Sequence, residues 1–181
     1  MHDAVLEWLV GLFPVIGGGR ARAVTIMFTD IQGFTRTAAE GGDGAALRLL
    51  HAHDRAALPA LRRHRGRMVK RLGDGLMVAF ATPHDALAAA LAMQAAARRM
   101  RVRLRIGIHA GVARLRAGDL VGHDVNVAAR VAERARGGEI VVSHRVRDDG
   151  AGVRARFRGV RPLRVGEVVL VPLFRVEAHS T

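Results

Sequence analysis

Residues 68–80 read MVKRLGDGLMVAF, two short apolar, strand-like runs joined at Gly73-Asp74-Gly75. Glycines around an aspartate between two such runs are a hairpin signal. Helical periodicity runs through GAALRLLHAHDRAALPALRRH (44–64) before the hairpin and PHDALAAALAMQAAARRM (83–100) after it. An antiparallel pair set between two helices restricts the fold strongly. With AVTIMFT (23–29) as a buried first strand and VRLRIGIHAGVARLRA (102–117) as a strand that turns near Gly111 into another, the pattern predicts a ferredoxin-like βαββαβ core, an α+β sandwich. HDVNVAARVAERA (123–135) reads as a further helix and EIVVS (139–143) as a strand, and residues 153–177 as two extra C-terminal strands around Pro162 and Gly166. Pro59 removes a backbone donor inside its helix and predicts a kink near residue 58. GGDG (41–44) reads as a loop and helix start.

The chain has 181 residues, half of them hydrophobic, enough for one domain with a short appendage. It has no cysteine, which excludes disulfides and thiolate metal sites and agrees with a reducing, cytoplasmic setting. A net charge of +13 suggests polyanions, but aromatics are 4%, tyrosine is absent, and the arginines are spread along the chain. No stacking platform for bases results, so nucleic acid is not the expected partner. AVLEWLVGLFPVI (4–16) is shorter than the roughly 20 apolar residues a bilayer requires. The expectation is a short helix in residues 1–20 that docks on the body, a second subunit or a regulatory partner, followed by a Gly-rich joint; residues 21–181 form the main domain.

Two aspartates carry the first chemical signal. Asp30 ends the first buried strand and Asp74 sits in the hairpin turn. Rigidly held carboxylates suit Mg²⁺, which takes hard oxygen ligands and pairs one or two carboxylates with substrate phosphates. Asp74 equally suits a turn for its own sake. Of the 29 lysines and arginines only Lys70 is lysine. Lys70 and Asp74 lie about 13 Å apart along a strand at about 3.3 Å per residue, too far to pair and far enough to touch opposite ends of one ligand, or two different ligands. In GDLVGHDVNVAARV (118–131), Asn126 and Arg130 share a helix face four residues apart, with Val127 and Val131 turned inward. Arg130 read alone is also an ordinary solvated cation. No P-loop pattern is present.

Together, FTDIQGFT, KRLGDG and GDLVGHDVNVAAR resemble, in order and spacing, three motifs of the class III nucleotidyl cyclase catalytic domain. The resemblance implies that Asp30, Asp74 and the Ile31 carbonyl hold two divalent cations, Mg²⁺ or Mn²⁺. It implies that the backbone of Gly33, Phe34 and Thr35 cradles the terminal phosphates. Lys70 and Asp119 would read the base, Asn126 would orient the ribose, and Arg130 would stabilise charge on the α-phosphate. Lysine donates to adenine N1 and aspartate accepts from the 6-amino group, whereas guanine presents the reverse pattern. The implied activity is an adenylate cyclase that acts on ATP as a head-to-tail homodimer, with metal aspartates from one subunit and the base and ribose groups from the other. A catalytically silent nucleotide- or partner-binding domain is the alternative. The family's further phosphate-binding lysine has no counterpart, so Arg114 or Arg116 is expected to replace it; His109 is expected to be structural.

Overall fold

The computed structural model describes residues 21–167 and 169–178. The expected N-terminal helix (4–16) lies outside them. The described chain runs β1 (Arg22–Ile31), α1 (Phe34–Arg63), β2 (Arg67–Leu72), β3 (Gly75–Phe80), α2 (Pro83–Arg99), β4 (Leu104–Arg116), β5 (Asp119–Val121), α3 (His123–Ala132), β6 (Ile140–Ser143), α4 (His144–Asp149), β7 (Ala155–Val165) and β8 (Val169–Ala178). The sheet order is β2-β3-β1-β4-β6-β8-β7, with β5 paired to β4. β3 is inserted between β1 and β2, and β4 flanks β1 on the other side, every contact antiparallel. This is the split βαβ arrangement the sequence predicts. β6 then joins β4 in parallel, and β8 and β7 extend the sheet antiparallel.

Period-2 alternation divides the sheet into two faces. Met27, Ile31, Leu76, Val78, Phe80, Leu104 and Ile106 form the main core with the buried faces of α1 and α2. Val24, Ile26, Met77 and Ala79 point the other way, toward Leu120 and Ala128. α2 is anchored by Thr82, whose Oγ1 accepts from the Asp85 N–H at 3.1 Å, with Pro83 just inside the helix. Such a cap contributes about 1 kcal/mol.

Two expectations are corrected. The long helix begins at Phe34, and its non-helical point is Gly42 (φ 65°, ψ −173°), within the GGDG stretch, while Pro59 stays inside the helix. Pro59 and Arg55 both lie on the exposed side of the helix, where a missing backbone hydrogen bond is best tolerated. The second correction is that no turn occurs at Gly111. β4 is one strand of 13 residues, still paired with β1 from Gly111 to Ala113. Its turn comes at Ala117 (φ 49°) and Gly118 (φ 79°), where two successive positive φ values mark a primed two-residue turn into β5.

At Gly107 the backbone of α3 presses close on the sheet: an added Cβ would lie 2.2 Å from the Ala132 nitrogen. Gly107→Ala is expected to lower stability in urea unfolding by about 1–3 kcal/mol, the usual cost of overpacking. Gly159→Ala, where an added Cβ meets nothing within 4 Å, should stay near wild type.

Candidate active site

β1 and β3 run side by side with Thr29 opposite Leu76, so the end of β1 meets the turn that opens β3. There Asp74 Oδ2 accepts from the Ile31 N–H at 3.1 Å. Gly75 permits the approach, since a Cβ would sit 1.9 Å from the Thr29 carbonyl oxygen. Asp30 stands opposite Arg105 across the β1–β4 ladder, and the two form an ion pair. Asp30, Arg105, Phe28, Leu72, Ala129 and Glu133 are among the residues lining a cleft of about 210 Å³ between the sheet and α3. The structure thus brings Asp30, Asp74 and Ile31 together. It also places a cation beside them that the sequence reading did not select. Arg114 and Arg116 lie at the opposite end of β4, across from Val121 and Asp119. The register of β1 against β4 would have singled out Arg105; in a chain this rich in arginine, spacing did not.

Directly after β1, Gly33 adopts φ 80° and precedes α1 without a side-chain cap. The first turn of α1 contains no acidic residue. Its leading amides and the positive end of the helix dipole suit an anion. Gly33, Phe34 and Thr35 therefore sit next to the carboxylate pair.

The second cluster forms where β5 folds over β2. Lys70 Nζ donates to Asp119 Oδ2 at 2.5 Å. Both side chains are roughly two-fifths exposed, so the pair itself adds little stability. Asp119 Oδ1, by contrast, is buried and accepts no hydrogen bond from the described residues. A donor and a spare acceptor thus stand side by side.

Asn126 and Arg130 are exposed on α3, while Val127 and Val131 are buried against Val141, Leu163 and Leu173. The N-terminal end of α3 is held by Asp124. Its Oδ2 accepts from the Val112 N–H at 2.6 Å, and its Oδ1 lies 3.4 Å from His109 Nε2. Gly111 leaves room, because a Cβ would meet Asp124 Oδ2 at 2.2 Å. His109 Nδ1 lies 2.9 Å from Ser143 Oγ. A carboxylate only accepts, so Nε2 carries the proton and the Ser143 hydroxyl donates to Nδ1. His109 is a buried structural group, as expected.

The carboxylate pair supplies only hard oxygen donors, which suits Mg²⁺ or Mn²⁺. Among the described residues no group of three or more His, Cys, Asp or Glu side chains could hold a metal ion. Two carboxylates and a carbonyl leave coordination positions that substrate phosphates can fill. No helix of the described residues is long and apolar enough to cross a membrane.

The split βαβ sheet thus carries two aspartates at one strand end, an anion-ready helix start directly after that strand, and an ammonium–carboxylate pair between β2 and β5. The sequence model of the adenylate and guanylate cyclase catalytic domain matches residues 18–164, and the chain belongs to that family. It is 34% identical over 174 residues to the pH-sensitive adenylate cyclase MT1302 of Mycobacterium tuberculosis, covering 89% of this chain and 42% of that protein. The chain spans less than half the length of the curated relatives it matches. Among solved structures, the guanylyl cyclase Cya2 superposes with a TM-score of 0.78 at 24% identity, covering 90% of this chain and 95% of that one. The adenylyl cyclase CyaB from P. aeruginosa gives 0.76 at 24%, covering 89% and 96%. These two likenesses establish the fold.

Burial lowers the pKa of His109 below its ordinary 6.5; Asp124 opposes the shift, while Arg145 and His144 add to it. Between that lowered value and 6.5 the unfolded chain binds more protons than the folded one. Stability is therefore complete above about pH 6.5 and declines as pH falls, by up to about 1.4 kcal/mol per unit for one such group. Urea unfolding at pH 7, 6 and 5 should show this decline, and His109→Asn should make it shallower, the remainder coming from His53 and His64, whose pKa values burial also lowers.

Proposed function

We propose that the chain is the catalytic domain of an adenylate cyclase, converting ATP to 3′,5′-cyclic AMP and pyrophosphate. The observation that carries this reading is the Lys70–Asp119 pair with its spare buried acceptor. On an adenine edge the ammonium donates to N1 and Asp119 Oδ1 accepts from the 6-amino group. Guanine would set its N1–H against the ammonium and its O6 against the carboxylate. Each unmatched buried polar group costs about 1–3 kcal/mol, enough to favour ATP.

The reaction is in-line attack of the ribose 3′ oxygen on the α-phosphorus, with cleavage of the bond to the bridging oxygen and departure of pyrophosphate. Two divalent cations on Asp30, Asp74 and the Ile31 carbonyl would supply the Lewis acidity that acidifies the hydroxyl and offsets charge on the phosphates. The amides of Gly33, Phe34 and Thr35 bind the terminal phosphates. Arg105, once Asp30 is engaged elsewhere, turns its guanidinium to the same oxygens, in the role expected of Arg114 or Arg116. Asn126 holds the ribose and Arg130 stabilises the α-phosphoryl charge.

The metal-binding groups come from one subunit, and Lys70, Asp119, Asn126 and Arg130 from its partner, in a head-to-tail homodimer with two equivalent sites. Residues 21–181 make up this domain, with residues 1–20 appended as a docking segment for the body, a second subunit or a regulatory partner. The ATP supply places the reaction in the cytoplasm.

Purified protein with Mn²⁺ should form cyclic AMP from ATP in large excess over cyclic GMP from GTP. Equal use of both, or no product at any protein concentration, would defeat the proposal. Arg130→Ala should lower kcat about 10²–10³-fold, as removing one charge-stabilising donor does elsewhere. Mixing Asp30→Ala with Arg130→Ala chains should restore partial activity, because a mixed dimer keeps one intact site; mixed dimers without rescue would count against shared sites.

A further inference from the structure

On the sheet face opposite Asp30, the imidazole of His53 is completely buried under α1. Its Nδ1 lies 3.3 Å from Asp54 Oδ1 and its Nε2 lies 2.9 Å from Thr29 Oγ1. Thr29 Oγ1 also accepts from the Leu76 N–H at 3.1 Å. Arg71 Nη2 donates to both oxygens of Asp54, at 2.9 and 3.0 Å.

The directions of these bonds follow from chemistry. A carboxylate accepts only, so Nδ1 carries the ring proton. Burial disfavours the charged ring, which leaves Nε2 as an acceptor. The Thr29 hydroxyl must then donate to it, and its lone pair takes the Leu76 amide. Every group in the chain is satisfied in one sense only. Thr29 precedes Asp30, Leu76 lies two residues beyond Asp74, and Arg71 follows Lys70. The relay therefore ties α1 to the Thr29 and Arg71 side chains and, through the Thr29 hydroxyl, to the Leu76 backbone amide.

We propose that His53 is a positioning residue that, through the Thr29 hydroxyl, fixes the separation of the Asp30 and Asp74 carboxylates. The inference rests on the metal reading given under the proposed function. Thr29→Val keeps the side-chain shape but leaves Nε2 and the Leu76 amide without their partner. Thr29→Ser keeps the hydroxyl.

The test uses the full chain, ¹⁵N-labelled, observed by NMR. His53 should show the Nδ1–H tautomer; an Nε2–H tautomer overturns the relay. Mn²⁺ alone, as a paramagnetic probe, should broaden the Asp30, Ile31 and Asp74 amides of the wild type at one common midpoint. Thr29→Val should need about tenfold more Mn²⁺ or lose the common midpoint, and Thr29→Ser should return to within threefold of wild type. KM for ATP at saturating Mn²⁺ should stay within threefold throughout. Broadening of Thr29→Val at the wild-type midpoint, or equal weakening in Val and Ser variants, overturns the positioning role and leaves the metal reading standing. No broadening of those amides in the wild type overturns the metal reading itself, and the relay's role with it.

Discussion

The site is organised around the position of β1 between two antiparallel neighbours. Its register against β3 brings Thr29 level with Leu76, and its register against β4 sets Asp30 opposite Arg105. A slip of one residue on either side would turn Asp30 toward α1 and α2 and bury a carboxylate in an apolar core. The same alternation that hides Met27 and Ile31 under the helices therefore presents Asp30 to the cleft.

The two faces of the sheet divide the work. Under α1 and α2 the packing is apolar except at a few points such as Thr29 and His53, which are fully hydrogen-bonded. On the α3 side the glycines act as clearances. Gly75 admits the end of β1, Gly107 admits α3, and Gly111 admits Asp124. Small residues on rigid strands let polar groups converge without cavities, which is how a strand end can hold a preorganised charge cluster.

Much of this was legible in the sequence because it is periodic or local. The hairpin, both long helices and the split βαβ order follow from apolar spacing and one Gly-Asp-Gly turn. The three motifs marked Asp30 and Asp74, the start of α1 and the exposed face of α3. What stayed hidden depends on distant partners or short elements. β5 has three residues and α4 six, below what periodicity resolves. His53 pairs with Thr29 over 24 positions and Asp124 with His109 over 15, whereas Lys70 and Asp119, 49 positions apart, were joined only through the family motifs. Arg105 is one arginine among many until the register singles it out. Pro59 misled because solvent exposure, which makes it tolerable, is a tertiary property.

The margins of the sheet show a further consequence. β2 and β7, its two outermost strands, each carry a register shift, between Met68 and Lys70 and between Val160 and Leu163. Arg67, Lys70 and Arg71 lie on one, and Arg156, Arg158, Arg161 and Arg164 on the other. Bulges and like charges make an exposed strand a poor template for backbone addition. At both margins of the described sheet, strand addition by a second copy of this chain is therefore disfavoured.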